Sequence, residues 1–287
     1  MISNSKKEKI KLPLEDTLGF IKKRIKEKGI IWTIHDISRR VFLRKFLDKI
    51  VILNKKNNLS NTDSFFVDLP SHTIEENRRA WNNYDWSQGG DEWTLDVKKY
   101  KGQDPNKWKT TLVNEMIFGY LKKNLTILEI GPGGGRWTEI FQPFAKKLIL
   151  CDISKNCIEI CKKRFKSKNN IEYYLINERL DFIEKESIDY LWSYDVFVHI
   201  NPTDIEKYIY DISKFLKPGG YAVIHHSGSY SNYKLKNEGW RAYLGSKSFA
   251  KFVTTCDMII IQQNEIFPQL TGDVITVFKK PTLIENN

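Results

Sequence analysis

From about residue 109 onward, short apolar runs alternate with amphipathic stretches at a regular rhythm. The runs TILEI, LILCDIS, IEYYLIN, DYLWSYD and YAVIHH have the length of buried strands, and the stretches between them have helical spacing. This alternation predicts a doubly wound α/β fold, in which helices cover both faces of a mostly parallel sheet. Two further runs, MIIIQQNEIF and DVITVFKK, follow one another at the end of the sequence. We therefore expect seven strands, with one antiparallel member in a terminal hairpin.

The helices around the first strand are expected over residues 109–123 and 136–145. Residues 1–108 follow a different pattern. Residues 15–28 and 30–53 are apolar and basic at helical spacing, with a break near 40–42, and residues 54–63 form a polar linker. The pattern divides the chain into a basic helical arm (1–60), an aromatic lid segment (61–108) and an α/β domain (109–287).

Residues 81–108 carry four of the eight tryptophans together with a Gly-Gly turn, and they show no clear period. Long irregular segments in compact domains are commonly lids or binding loops. The alternative is a loop that pins its tryptophans onto the core. The sequence pattern leaves both interpretations open.

Charge is concentrated at the beginning of the chain. The net charge is +11, and residues 1–60 hold 16 Lys/Arg against 6 Asp/Glu, which is +10. Basic amphipathic helices can bind an anionic membrane surface, and we hypothesise this role for residues 1–60. Equal cosedimentation with and without these residues, on anionic vesicles at low salt, would contradict it. A dimerisation or packing arm is the alternative. Nucleic acid is not expected as a partner, because the remaining residues are nearly neutral and contain no recognised nucleic-acid module.

The sequence shows no signal peptide and no apolar run near the ~20 residues that span a bilayer, so we expect a cytoplasmic protein, with peripheral membrane contact at most. The four cysteines have neither disulfide nor zinc spacing and are expected to be reduced thiols.

A glycine turn follows the first strand of the α/β domain, and it carries the clearest chemical signal. Glu129 lies near the end of the first strand and is followed by the turn Gly131-Pro132-Gly133-Gly134-Gly135. Asp152 ends the second strand. Glycines allow close backbone approach to a ligand, and an acid at the end of the second strand can accept both hydroxyls of a ribose. A dinucleotide site would need glycine where the chain has Arg136. The spacing E-x-G-x-G-x-G and the later turn LKPGG therefore favour a nucleoside sulfonium.

At these residues the chain resembles the class I S-adenosylmethionine-dependent methyltransferases, over roughly residues 109–280. The resemblance implies that Gly131 and Gly133 face the methionine part of the cofactor and that Glu129 lies near its amino group. It further implies that Asp152 holds the ribose and that Asp195 lies close to the transferring methyl group. The cofactor contacts that it implies are Glu129, Gly131, Gly133, Gly135, Asp152, Ile153, Asn177, Glu178 and Asp195.

Through DWSQGGDEW, LEIGPGGGRWTE, WSYDVFVHI, KPGGYAVIHHS and GWR, the chain is similar to bacterial methyltransferases of surface-glycan and natural-product clusters. Trp86, Trp240 and Arg241 suit contacts with an acceptor, because an indole can cover a sugar ring and a guanidinium can bind an anion. The alternative for the insertion around Trp240 is a surface loop whose tryptophan packs inward.

Methyl transfer to a hydroxyl benefits from a general base, and histidine is the usual one near neutral pH. His199 follows the fourth strand, and His225 and His226 end the fifth. Side chains alternate along a strand, so only one of His225 and His226 should face the site. These three histidines and Asp195 are the candidate catalytic residues. A metal bound by them is the alternative, although no metal is expected.

We therefore expect an O-methyltransferase acting on a sugar in surface polysaccharide or glycolipid assembly. Methylation of nitrogen or oxygen on a small metabolite or natural-product scaffold is the second interpretation. A non-catalytic protein that binds S-adenosylmethionine is the third.

Overall fold

The computed structural model describes residues 73–94, 96–177, 179–228, 242, 244–265 and 272–282, all within one compact unit, Asp63–Asn287. Several predictions concern residues outside these ranges, namely the basic helical arm, the linker, Glu178, Trp240 and Arg241. They stay predictions, as do the domain boundaries.

A single seven-stranded sheet forms the centre of the fold, with the order β3-β2-β1-β4-β5-β7-β6. The strands are β1 (Leu125–Ile130), β2 (Ala145–Asp152), β3 (Ile171–Leu175), β4 (Ile188–Ser193), β5 (Leu216–Ser227), β6 (Ile259–Asn264) and β7 (Asp273–Lys279). Strands β1 to β5 pair in parallel, whereas β7 runs antiparallel to both β5 and β6. The predicted sheet, with its terminal hairpin and single antiparallel strand, is confirmed.

Alternate residues of the central strands belong to two separate cores. On β1, Ile127 packs into one apolar cluster and Leu128 into the other. On β4, Tyr190 and Leu191 divide in the same way. Strands that are buried on both faces read as near-continuous apolar runs, which is why the sequence signal was clear here.

The described helices are α1 (Ile74–Asn82), α2 (Asp96–Lys101), α3 (Pro105–Leu112), α4 (Thr138–Phe141), α5 (Lys155–Arg164), α6 (Pro202–Phe215) and α7 (Ser246–Thr255). Asp104 caps α3, which begins four residues before the predicted position and passes into a π-helical turn at Val113–Phe118. The helix predicted over 136–145 is wrong in extent. Only α4 is helical there, and the chain enters β2 at Ala145.

The prediction that residues 81–108 lack regular structure is also wrong. Besides α2 and the beginning of α3, this segment contains a short 3₁₀ helix, Asp91–Trp93. Helix α1 ends within this segment and begins with a capping box, in which Thr73 and Glu76 exchange backbone and side-chain hydrogen bonds. Over the part of the chain that the structure describes, no helix is long and apolar enough to cross a membrane.

A buried carboxylate fixes the loop after β3. Asp211 lies on the inner face of α6 and is almost completely buried. Its Oδ2 accepts hydrogen bonds from Arg179 Nε at 2.7 Å and from the Leu180 backbone N–H at 3.2 Å, while Arg179 Nη2 donates to Oδ1. A bidentate pair to a planar guanidinium has a fixed geometry. Asp211 therefore sets where the chain leaves β3, next to the predicted cofactor residues.

We expect Asp211→Ala to lower the free energy of unfolding by about 2 kcal/mol or more, because charged hydrogen bonds to a buried acceptor are lost. Asp204→Ala, on the same helix, removes a surface pair with Lys207 and should cost less than about 1 kcal/mol. Urea denaturation of the two variants checks this. Equal losses would contradict a special role for Asp211.

Candidate active site

The glycine turn connects β1 to α4, and it requires glycine at two positions for identifiable reasons. Gly131 and Gly133 have φ values of 72° and 55°, a left-handed conformation that favours glycine. A Cβ on Gly131 would lie 2.2 Å from Val196 Cγ2, and one on Gly133 would lie 2.7 Å from Trp86 Cζ3. Gly135 is also left-handed, with φ 88°. The turn thus brings bare backbone into close contact with its surroundings.

Asp152 lies directly beside this turn, at the end of β2. Its Oδ1 accepts the Ser154 N–H at 2.8 Å, and its Oδ2 accepts the Gly133 N–H at 3.4 Å. Burial raises the pKa of this carboxyl to about 6, against the opposing effect of the backbone hydrogen bonds. Ile153 follows and packs partly into one apolar core. The carboxylate is therefore held in place at the edge where the strands end.

Glu129 is the second buried acid of the site. Its Oε2 accepts a hydrogen bond from Thr138 Oγ1 at 2.6 Å, while its Oε1 is buried with no hydrogen-bond partner among the described residues. Burial, with a smaller contribution from the charge of Asp152, raises the pKa of Glu129 to about 8. An acceptor that is buried without a partner is rare in native proteins and indicates a ligand or a water.

Two buried indoles whose N–H groups have no partner among the described residues pack in the apolar cluster that Ile127, two residues before Glu129, also joins. Trp192 pairs with Glu129 across β1 and β4, and the Trp137 ring lies 5.4 Å from that of Trp192. Both indole Nε1 atoms are buried with no partner among the described residues. The Arg136 guanidinium, also buried, lies 4.5 Å from the centre of the Trp137 ring. One free acceptor beside several donors is the polar complement of an α-amino acid, so these residues fit the methionine end of S-adenosylmethionine.

A cover segment, which we define as residues 73–94, is fastened to the ends of three strands. Asn82 Oδ1 accepts from Ser154 Oγ at 2.9 Å and from the Asn156 N–H at 3.2 Å, just beyond β2. Arg78 Nη2 donates to Asn177 Oδ1 at 3.2 Å, beyond β3. Beyond β4, Asn77 Nδ2 donates to the His199 carbonyl at 3.0 Å. The cover segment therefore encloses the region in which the glycine turn and Asp152 lie.

Arg164 forms hydrogen bonds to both the second half of the cover segment and the glycine turn. Its Nη1 donates to the carbonyls of Gly89, at 2.8 Å, and Gly134, at 2.7 Å. Sequence reasoning missed Arg164 and the asparagines of α1, because their partners are distant along the chain. The capping box of Thr73 and Glu76 is the one local signal that could have located α1.

The tryptophans of residues 81–108 fit both interpretations of that segment, a lid over the site and a loop pinned onto the core. Trp86 lies on Gly133, and Trp108 is buried in the core against Tyr194. Trp86 is predicted to contact the acceptor, and the structure places its ring at the glycine turn. Together with Trp81 and Tyr84 it forms a group of three partly exposed rings, with centroid separations between 4.9 and 6.2 Å.

Of the predicted catalytic residues, the structure brings Asp195, His199 and His225 to one end of the sheet. Asp195 has φ 62°, a left-handed conformation that is uncommon for residues other than glycine. Its backbone N–H donates to His225 Nδ1 at 3.1 Å. His199 lies in the short 3₁₀ helix Phe197–His199, with its ring 5.0 Å from that of Trp81.

His226 does not belong to this group. It points to the opposite face of β5, where its ring stacks on Phe249 at 3.7 Å, Nδ1 donates to the Ser227 carbonyl, and Nε2 accepts from Thr276 Oγ1 at 2.7 Å. Burial lowers its pKa to about 3, so this imidazole is neutral. Strand alternation, which the sequence analysis used, is the physical reason that only one of the two histidines faces the site. Within the described ranges, no cluster of three or more His, Cys, Asp or Glu could hold a metal ion.

Comparison with known proteins supports the assignment of the domain. A family model described as a methyltransferase domain matches residues 127–220. The ubiquinone biosynthesis O-methyltransferase of Pelagibacter ubique (strain HTCC1062) is 31% identical over 103 residues, which are 36% of this chain and 42% of that protein. A demethylmenaquinone methyltransferase of Tropheryma whipplei (strain Twist) is 32% identical over 98 residues, covering 34% of this chain and 40% of the relative. The chain thus spans less than half the length of these curated relatives.

Two solved structures share the fold. The geranyl diphosphate C-methyltransferase of Streptomyces coelicolor A3(2), in a structure containing S-adenosyl-L-homocysteine, aligns with a TM-score of 0.54 at 13% identity, over 74% of this chain and all of that one. The PH0226 protein of Pyrococcus horikoshii OT3 aligns with a TM-score of 0.54 at 15% identity, over 69% of this chain and all of that one. Residues 127–220 thus match the methyltransferase-domain family model, and these two solved structures share the fold of the sheet around them.

Proposed function

We propose that this chain is an S-adenosylmethionine-dependent methyltransferase that methylates a sugar hydroxyl during the assembly of a surface polysaccharide or glycolipid. The observation that carries the proposal is the pair of buried carboxylates beside the glycine turn, one of which has an oxygen with no partner among the described residues. Burying such groups is costly unless a ligand compensates for it.

Each part of the cofactor has a residue suited to hold it. Glu129 Oε1 would accept from the amino group, with Arg136 and the neighbouring indole N–H groups near the carboxylate. Asp152 would accept hydrogen bonds from the ribose hydroxyls. Asn177, which accepts a hydrogen bond from Arg78, lies where the adenine is expected. When bound, the cofactor supplies a methyl carbon activated by a positively charged sulfur. The task of the protein is then to align an acceptor oxygen and take up its proton.

A ring-shaped acceptor fits the mouth of the site. Trp81, Tyr84 and Trp86 are partly exposed and border both His199 and the glycine turn. Aromatic faces offer an apolar surface for the flat side of a sugar ring, while their polar edges remain hydrated. These three rings support an acceptor of this shape in preference to a linear one.

We assign the general-base role to His199. His226 faces away from the site, and Nδ1 of His225 is already occupied by the Asp195 N–H. His199 is the remaining histidine of the three candidates, and its ring lies 5.0 Å from that of Trp81. In the proposed step the acceptor hydroxyl gives its proton to His199 as the new oxygen–carbon bond forms and the carbon–sulfur bond breaks.

A second candidate is methylation of an aromatic hydroxyl on a small metabolite. The same three rings would stack on a phenol, and two of the matched relatives are named for ubiquinone biosynthesis and for demethylmenaquinone. Comparing sugar with phenolic acceptors in a methyl-transfer assay distinguishes the two candidates.

We expect Asp152→Asn to weaken S-adenosylmethionine binding by roughly 100-fold or more, because hydrogen bonds to a charged acceptor contribute about 1.5–3 kcal/mol each. Glu159→Ala, on the exposed side of the helix that follows, is the matched control and should bind normally. Titration calorimetry measures both affinities. Unchanged binding by a folded Asp152→Asn variant would contradict the ribose assignment.

We expect His199→Gln to lower kcat by about 100-fold or more, since general-base catalysis typically contributes 10²–10⁴-fold. Affinity for S-adenosylmethionine should stay the same. The wild-type rate should fall as the pH is lowered and the base becomes protonated, and the variant should lose this dependence. A pH–rate profile of the variant that matches the wild type would rule out His199 as the base.

A further inference from the structure

His225 has the surroundings of a catalytic histidine but the hydrogen bonding of a structural one. It is completely buried at the end of β5 and stacks on Tyr194 at a centroid distance of 4.4 Å. Its Nδ1 is 3.1 Å from the Asp195 backbone nitrogen, and its Nε2 is 3.5 Å from Asp273 Oδ2. A histidine between two aspartates is often assigned as a base, so the role of each ring nitrogen has to be decided.

The backbone amide settles the tautomer. An amide N–H can only donate, so the Nδ1 atom that accepts from it carries no proton. Asp195 Oδ1, at 3.6 Å from the same nitrogen, is too far for a competing hydrogen bond. The single proton of the neutral ring is therefore on Nε2, on the side of the Asp273 carboxylate.

With this tautomer, neither ring nitrogen can receive a proton from an acceptor. The lone pair of Nδ1 points at the Asp195 N–H, and Nε2 is already protonated and buried. Base catalysis needs an unprotonated nitrogen within hydrogen-bond reach of the acceptor hydroxyl. The prediction that His225 could act as a base is therefore disfavoured by its own contacts.

What His225 does hold is the backbone of Asp195. That residue is left-handed without being glycine, a conformation that persists only when the surrounding structure fixes it. The hydrogen bond to His225 Nδ1 is a specific contact that anchors its N–H. Tyr194, immediately before it, is held by stacking on the same imidazole.

We propose that His225 is a positioning residue that fixes Asp195 and thereby the acceptor end of the site. This inference rests on the proposed methyl transfer and goes beyond it, because it assigns His225 an action through Asp195 and none on the acceptor itself. Asp273, whose Oδ2 lies 3.5 Å from Nε2, begins β7, the one antiparallel strand of the described sheet, so the terminal hairpin lies beside this imidazole.

Two substitutions of similar size separate positioning from base catalysis. In His225→Asn, the amide oxygen overlays the position of Nδ1 and can still accept from the Asp195 N–H. In His225→Gln, the amide group reaches the position of Nε2, and the Asp195 N–H loses its acceptor. We expect the asparagine variant to keep most of the wild-type kcat and the glutamine variant to lose roughly 10- to 100-fold, as small misplacements of a reacting group do.

Both variants should bind S-adenosylmethionine like the wild type, and both should keep the wild-type pH–rate profile, because the base is elsewhere. Thermal denaturation checks that both are folded. His225 is the base, and the proposal is overturned, if both variants lose activity equally and their rates no longer decline as the pH is lowered. If both keep full activity, Asp195 does not need this anchor, and the proposal is equally wrong.

A second measurement does not need an acceptor. Nitrogen-15 NMR of the histidine side chains at neutral pH should show an unprotonated Nδ1 and a protonated Nε2 for His225, assigned by its loss in His225→Asn. The opposite tautomer would overturn the proposal even if transfer is observed. Absence of methyl transfer by the wild type with every acceptor would instead count against the proposed function, so the two failures are distinguishable.

Discussion

The site is organised around two carboxylates that the fold buries beside a glycine turn. Burial raises the pKa of both Glu129 and Asp152, and each carboxyl accepts a hydrogen bond from a neighbouring donor. An acid whose pKa is higher in the folded than in the unfolded state makes the unliganded protein less stable as the pH rises through that interval. For Glu129 this interval runs from the ordinary value of 4.5 up to about 8. A cationic ligand that favours ionised Glu129 would offset this loss of stability. The burial of this carboxyl therefore links the stability of the protein to cofactor binding.

The other parts of the site depend on this arrangement. The cover segment reaches Asp152 through Ser154, which donates its side-chain hydroxyl to Asn82 and its backbone N–H to Asp152. Arg164 joins the same segment to the glycine turn. On the acceptor side, the contact between His225 and Asp195 connects β5 to the end of β4. The proposed cofactor and acceptor regions are thus bounded by elements that share a few buried polar contacts.

The sequence predicted the sheet well because its signals are local. Buried parallel strands are continuous apolar runs, and the turn with Glu129 and Asp152 lies within 24 consecutive residues. Features decided by distant contacts could not be predicted. The helix expected over 136–145 is only four residues long, and the contact between Asn82 and Ser154 joins positions 72 residues apart. Strand alternation showed that one of His225 and His226 would face the site, but only the structure shows which one.

The measurement that tests this account most directly is the proton balance of S-adenosylmethionine binding. Calorimetry at pH 7 in buffers of different ionisation enthalpy should show release of close to one proton, because Glu129, with a pKa of about 8, ionises when the ammonium group binds beside it. Glu129→Gln should bind more weakly and release almost none, and the wild type should release progressively less above pH 8. Binding with no proton release in the wild type would show that Glu129 does not meet the amino group. Absence of binding would contradict the assignment of the cofactor itself.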